Sequence, residues 1–552
     1  MNMRGGFEQA RDFLILHRAD YEHAYNHFAW PQLDNFNWAL DYFDVMADGN
    51  ENTALWIIDE NGKEEKYSFA DMSQRSNQVA NYLRKLGVHR GDGILVMLKN
   101  ETALWEIMLA AMKLGAIIIP SSPYLSAAEL EDRLQRGNVR MVVTNKENGD
   151  RFKIDSTSAI ALIVDGAKEG WQDYADATRE SVDFESGERT KATDPCFLYF
   201  ASSTTAKPKL VQHSIQTATV GHLSTMYWMG LRPGDIHLGV SSPGWSMHDW
   251  NNFIAPWNAE ATIFVDRLSR FDAKILLDTM EHYRITTFCA PPTVWRRLLQ
   301  ADLKNSRVSI REALSTGEPL TDDIVQQVKE AWGVEIRDGY GQTETTMMIG
   351  VTPGESTHSG SLGKALPGYQ IRLFDSDGRE VKEGEICVIS EILSTSPYHS
   401  GDIAKLDDHG HYSYVGRTDD LFKCSDYRVS PFEIEAVLKE YPAVRDVVVI
   451  PSADPVRYAV PKAIVVLAKD IEPSKEVAVD IMNFSRSRLA PFKRVRRVEF
   501  HDLLKSEEGL VLRNELIKRE QEKRTSNDKS QYEFWEEDAR ATLPETWAQD
   551  LP

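Results

Sequence analysis

Cysteine is scarce in this chain of 552 residues: Cys196, Cys289, Cys387 and Cys424 are the four, far apart and never in a CxxC pair. That spacing argues against a metal site or a disulfide framework and is expected of buried thiols in a reducing compartment. Long apolar runs are missing as well. The N-terminus, MNMRGGFEQARDF, lacks the apolar core of a signal peptide, and the most apolar run, Leu109–Ile119, is short and carries Lys113. Neither secretion nor a membrane span is therefore expected. Positive charge is in deficit, with 63 Lys and Arg against 84 Asp and Glu and a net charge of −21. That balance argues against nucleic acid or an anionic membrane as partner. A cytoplasmic protein is the expectation.

What is present is ordinary for a globular protein: 42% apolar and 27% charged residues. The length calls for one large, subdivided domain plus a smaller one. From Phe69 onward helical and β-branched segments alternate. Helix 69–86 precedes strand Ile94–Leu98, helix 102–114 precedes Ala116–Ile119, and helix 126–136 precedes Met141–Thr144 and Ala159–Val164. Such alternation predicts a parallel sheet covered on both faces. Helix 272–283 then leads to Ile285–Cys289, and helix 321–332, with Thr321 as N-cap, to Val334–Arg337. Short strands and glycine turns over 350–416 suggest a small β subdomain. Beyond Asp419 the pattern resets to a compact mixed unit. The last thirty residues are charged, with Tyr532, Phe534, Trp535 and Trp547, and read as a disordered tail or as one that docks.

The most informative stretch is Tyr199–Ser214, YFASSTTAKPKLVQHS. An apolar strand gives way to a loop of small and hydroxyl residues that ends in Lys209. Backbone N–H groups and the hydroxyls of Ser202, Ser203, Thr204 and Thr205 can line an anion, with Lys209 as a point charge. Sites on such sheets lie beyond strand ends, where this loop falls.

Further motifs follow in order: SSPGWSMHDW (241–250), TFCAPPTVWRRLLQ (287–300), STGEPL (315–320), DGYGQTETT (338–346), SGD (400–402), GRTDD (416–420), YRVSPFEIE (427–435) and RNEL (513–516). Together with the loop they resemble the adenylate-forming acyl-CoA synthetases, and APPT, GEPL and RNEL resemble the medium-chain branch. The resemblance covers roughly residues 30–520. It implies an α/β fold: a large N-terminal domain (1–418) of two doubly wound α/β subdomains and a small β subdomain. A small, mobile α+β C-terminal domain (419–522) and the charged, aromatic-containing tail (523–552) would follow.

By the same resemblance, Gly317, Glu318 and Pro319 form the adenine strip and Tyr340 stacks on the base, with Asp338, Gly341 and Thr343 beside it. Thr204, Thr205 and Lys209 handle the triphosphate, and Glu344 holds Mg2+. Asp402 accepts the ribose hydroxyls next to Arg417, and Arg428 meets phosphate in one pose of the small domain. Asp419 matches the hinge and Trp245 the gate between acyl pocket and thiol tunnel. Gly239, Gly244, Trp245 and the 287–293 run line the acyl pocket. The implied ligands are a small carboxylic acid or its acyl-adenylate, ATP or its AMP moiety, and CoA or a carrier-protein pantetheine.

Four departures stand against these matches. Anchored on Arg513–Leu516, the C-terminal signature puts Leu510 where the family has the lysine that bridges substrate carboxylate and α-phosphate. Losing such a preorganised charge costs about 10²–10³ in rate; Lys505, five residues earlier, is a strained substitute. Ser203 and Ala206 replace two loop glycines, which stiffens the backbone around a phosphate. Asp426 replaces a glycine beside the pantetheine tunnel. Segment 388–400 is shorter than its family counterpart.

Two of these losses fall on adenylation, whereas the nucleoside-binding residues survive. The leading expectation is a non-adenylating acyl-CoA ligase, like the thioester-forming member of the platensimycin pathway, in natural-product biosynthesis and served by a partner adenylating ligase. The alternatives are a complete medium-chain-type synthetase, acyl transfer from CoA to a carrier protein, and a catalytically inactive adenylate-binding scaffold.

Overall fold

The computed structural model describes residues 4–125, 127–152, 159–201, 208–267, 271–318, 320–393, 396–418, 420, 422–424, 427–454, 458–489, 493–505, 511–526 and 528–536. Its contacts divide the chain into two compact units. The first comprises residues 1–372, 387–398 and 407–413; the second comprises 373–386, 399–406 and 414–552.

In the first unit the alternation of helix and strand builds a seven-stranded sheet. From its one edge, the order is Gln172–Asp173, Ile160–Ile163, Val139–Thr144, Gly93–Met97, Ile117–Pro120, Pro195–Ala201 and Lys209–Ser214. All neighbours run parallel except the last pair, a hairpin with Ala201 opposite Lys209. Local chemistry sets the helix ends. Ser68 and Asp71 form a reciprocal capping box ahead of Phe69–Lys85, which satisfies two orphan N–H donors. Gly115, in the left-handed region, ends Thr102–Leu114.

Nine successive strands of a thirteen-stranded sheet run in the order Ser361–Ala365, Met347–Gly350, Ile336–Gly341, Glu312–Thr316, Thr287–Cys289, Ile236–Gly239, Thr262–Arg267, Thr53–Asp59 and Glu64–Ser68. Its central strands are parallel. One face packs Leu238, Phe264, Phe288, Ala313 and Ile336 beneath Trp295, Leu277 and Val328. Two details differ from the sequence reading. Thr321 stands at the N-cap of Asp322–Trp332 but its hydroxyl makes no capping bond, and the following strand begins at Ile336 rather than Val334. The N-terminal segment forms two helices, Arg4–Leu16 and Tyr21–His27, and Asp20 caps the second through the N–H of His23.

The second unit holds a four-stranded sheet, Val444–Asp454, Tyr458–Leu467, Arg497–Phe500 and Glu533–Trp535, and the hairpin Phe422–Cys424/Tyr427–Val429. Helices Pro431–Lys439 and Lys475–Arg488 cover an apolar core that includes Val447, Val449, Ile434 and Ile481. The tail supplies the last strand, with Val498 opposite Phe534. Trp535 lies beneath the Arg497 guanidinium, 4.1 Å from its ring centre.

An ion cluster fastens this strand. Lys462 is fully buried, with Nζ 2.7 Å from Glu499, 2.6 Å from Glu520 and 2.9 Å from Glu533. Among the described residues these three carboxylates are the group whose spacing suits a metal ion; the lysine ammonium already binds all three. A buried charge survives only when paired, and removing one partner costs about 3–5 kcal/mol. Lys462→Met is therefore expected to lower the unfolding free energy of this unit by that amount in denaturant titration. Burial alone would raise the Glu499 pKa, but Lys462, with help from Lys523 and Ser530, brings it down to about 2 against an ordinary 4.5. A depressed carboxylate stabilises above its unfolded pKa, so this contribution should be lost as pH falls from about 4.5 to about 2. A variant that melts like the parent across this range would contradict the assignment.

Candidate active site

The hairpin that carries the loop motif leads into the candidate site within the first unit. Residues 202–207, with Ser203, Thr204, Thr205 and Ala206, lie outside the described residues, but both flanks are in place. Lys209 opens the returning strand, and its Nζ donates to Glu344 Oε1 at 2.8 Å. Farther along this strand, buried His213 lies with Nε2 2.6 Å from the Thr343 carbonyl oxygen. A carbonyl only accepts, so Nε2 carries the proton. Burial holds the His213 pKa below the ordinary histidine value, which keeps the ring neutral. Thr343 Oγ1 is 3.3 Å from Ser246 Oγ, on the short helix that follows Trp245. The loop hairpin, the 342–346 turn and the Trp245 turn thus meet, and they join the edge of one sheet to the middle of the other.

Beside this junction is the proposed base-binding strip. Gly317 sits just past strand Glu312–Thr316 with φ +93, and a Cβ there would meet nothing within 4 Å. Glycine is thus demanded by the backbone angle, and the space above it is open to a flat ring. Glu318 accepts from Thr293 Oγ1 at 2.9 Å and from Arg296 at 2.9 Å; Pro319 lies outside the described residues. Tyr340 and Gly341 close strand Ile336–Gly341, half-buried. A Cβ on Gly341 would come within 2.4 Å of the Thr346 carbonyl, so the turn that presents Thr343 and Glu344 needs glycine there. Asp338 is buried, accepting from the Gly339 N–H at 2.9 Å. Burial pushes its pKa up to about 8, which leaves a neutral carboxyl at neutral pH.

At the acyl side, Gly244 has φ +94, and a Cβ would lie 2.3 Å from the Ser122 nitrogen. No other residue fits that approach. Trp245 follows half-buried, its carbonyl accepting from the His248 N–H.

In the second unit, Asp402 on strand Tyr398–Leu406 is buried. The Tyr414 hydroxyl is 3.4 Å and the Arg417 guanidinium 3.8 Å from its Oδ1. Arg428 occupies the strand Tyr427–Val429, its backbone opposite Lys423. Asp419, Asp426 and Leu510 lie outside the described residues. The flanks of Leu510 are informative, however: Lys505 pairs with Val511 as an isolated bridge, and Lys505 Nζ donates to Asp446 at 3.2 Å. The nearest lysine before Leu510 is thus already engaged on its own unit.

A family model described as AMP-binding enzyme matches residues 44–396, and one described as AMP-binding enzyme C-terminal domain matches residues 433–509. The chain belongs to the AMP-binding enzymes. Among relatives of this acyl-CoA synthetase family it is 35% identical to the 4-hydroxybutyrate--CoA ligase 1 of Metallosphaera sedula, over 91% of this chain and 94% of that protein. It is 33% identical to the mitochondrial acyl-coenzyme A synthetase ACSM4 of Mus musculus, over 90% and 92%. Among solved structures, the anthranilate CoA ligase AuaEII in complex with anthranoyl-AMP superposes with a TM-score of 0.78 at 26% identity, covering 89% of this chain and 98% of that one. The large α/β domain followed by a small C-terminal domain is the fold of these AMP-binding enzymes.

Several partners of these candidate residues, in one unit or the other, escaped the sequence reading. His213, Ser246, Tyr414, Arg296 and Tyr398, whose hydroxyl donates to Gln342 at 2.7 Å, contact site residues from segments remote in sequence. His213, Ser246 and Arg296 fall inside motifs singled out above, whereas Tyr398 and Tyr414 carried no signal.

The Asp338 carboxyl gives a test. Its folded pKa is raised above its unfolded value, so the native state keeps a proton that the unfolded chain releases, and stability falls as pH rises from about 4 to about 8. Asp338→Asn, nearly isosteric and never charged, should raise the thermal midpoint by a few degrees at pH near 8 and leave it unchanged near pH 4. Equal shifts at both would contradict a buried neutral acid.

Proposed function

We propose that this protein is a non-adenylating acyl-CoA ligase, which takes a preformed acyl-adenylate and passes the acyl group to CoA or to a carrier-protein pantetheine. The observation that carries the reading is the pairing of Leu510 at the signature lysine position with a Lys505 that is bound to Asp446. Thiol attack on a mixed anhydride needs little beyond positioning. Adenylation needs a cation where negative charge builds on the attacking carboxylate and the α-phosphate. Gly317, Tyr340, Asp402 and Arg417 would hold the AMP moiety, with Trp245 as the gate toward the thiol. The domain division at 418/419, with Asp419 as hinge and Arg428 swinging toward phosphate, belongs to this proposal. So does a partner enzyme that supplies the adenylate.

The Glu344 carboxylate, partly exposed and sharing one oxygen with Lys209, is a hard oxygen donor of the kind Mg2+ takes. When bound, Mg2+ would supply charge neutralisation at the phosphates. Lys209 and Glu344 orient each other in either case. Four free, buried cysteines support a reducing cytoplasm; among the described residues no helix is long and apolar enough to cross a membrane.

A complete synthetase, using acid, ATP and CoA, is the second reading. The intact Lys209–Glu344 pair favours it, as do relatives named as CoA ligases and acyl-coenzyme A synthetases. The experiment incubates the protein with CoA and either acid plus Mg-ATP or preformed acyl-AMP. Acyl-CoA from acyl-AMP alone is the expected result, and comparable product from both mixtures would overturn it. Leu510→Lys is expected to raise synthesis from acid and ATP about 10²-fold. No rise would move the block to Ser203 and Ala206.

A further inference from the structure

The two N-terminal helices carry three histidines that neither the core nor the candidate active site uses. His17 follows the end of Arg4–Leu16, while His23 and His27 lie on Tyr21–His27, spaced i, i+4. This is the H-x3-H spacing with which one helix face offers two imidazoles to a metal ion. The same helix is anchored from its other side. The Tyr21 hydroxyl donates to the Ala365 carbonyl at 3.0 Å, and the Tyr25 hydroxyl to the Tyr369 carbonyl at 3.1 Å. Residues two positions on lie about 200° around a helix, so His23 and His27 face away from those anchors. His17 and His23 are half-buried and His27 is exposed, so an ion from solvent can reach them.

The three rings form one column. The His17 and His23 ring centres are 4.2 Å apart and the His23 and His27 centres 4.4 Å, with Phe13 against His17 at 4.7 Å. A tight turn holds the column together: the Asp20 N–H donates to the His17 carbonyl, and the His23 N–H donates to the Asp20 carboxylate. His27 is also set in a ligand tautomer. Its Nδ1 lies 3.0 Å from the His23 carbonyl oxygen; a carbonyl only accepts, so Nδ1 carries the proton and the lone pair is on Nε2. A ring N–H bonded to a carbonyl in this way is the usual outer support of a metal-binding histidine. The rings stack rather than converge, and their three nitrogens are not all within 4.8 Å of one another. Two nitrogens bound at about 2.0–2.1 Å to one tetrahedral ion lie roughly 3.4 Å apart, a gap that rings this close can span. Turning His17 and His23 about χ2, a soft torsion, is the movement that binding asks for.

We propose that His17, His23 and His27 form a binding site for a divalent transition ion of the Zn2+ class, which fastens the first helix to the second. Imidazole suits such ions, whereas Mg2+ takes oxygen ligands. The site is therefore chemically distinct from the Glu344 carboxylate, and it stands or falls independently of the ligase reading.

The test titrates Zn2+ calorimetrically into the full chain in the presence of excess Mg2+, which occupies oxygen-donor sites. Saturable uptake of one ion per chain is expected. The thermal midpoint should rise at saturating Zn2+, because a ligand bound by the native state alone stabilises it. His17→Gln, His23→Gln and His27→Gln should each weaken binding by about ten-fold or more, since even a change to an outer-shell partner costs that much at a metal site. Absence of saturable uptake by the parent chain would overturn the inference, whatever the variants do. Uptake that keeps its affinity in any of the three variants would overturn it as well, because the ion would then be held without that histidine.

Discussion

The candidate site depends on a junction between two sheets of the first unit, and His213 is its firmest point. The ring is buried, neutral and bonded to the Thr343 carbonyl, which holds the turn bearing Thr343 and Glu344 against the hairpin bearing the loop. The Lys209–Glu344 pair lies on the same seam but is half exposed on the lysine side, and exposed ion pairs contribute little to stability. The two contacts therefore divide the work. The buried histidine fixes the geometry, while the half-exposed lysine and its glutamate partner add little to it.

A different device organises the second unit. Lys462 draws together two strands, a helix and the tail strand through three carboxylates. Lys462 together with Lys523 on Glu499 and Arg524 on Glu520 and Glu533 sets three cations against the three carboxylates, so the cluster is already balanced without a metal ion. It also makes the segment around 533–535 part of the sheet rather than an appendage. Lys505, by contrast, makes only a half-exposed pair with Asp446 at 3.2 Å, of the kind that contributes little.

Much of this was legible in the chain. The alternation of helices with β-branched strands gave the parallel sheets because covering both faces of such a sheet demands apolar strands, and the glycines at 244, 317 and 341 mark places where backbone approach or angle excludes a side chain. What could not be read were contacts between distant segments: Tyr414 on Asp402, Arg296 on Glu318, and the ion cluster around Lys462. Charged and hydroxyl residues of this kind look like surface positions until the fold brings their partners in.

The account turns on a separation of half-reactions: grip on the AMP moiety kept, the cation for attack on ATP given up. ATP–pyrophosphate exchange in the presence of candidate carboxylic acids measures this most directly, because it reports formation of the adenylate without any contribution from the thiol step. The account predicts exchange at background, in the same preparation that converts acyl-AMP and CoA to thioester. Exchange at a rate matching thioester formation would contradict it and make this chain an ordinary acyl-CoA synthetase.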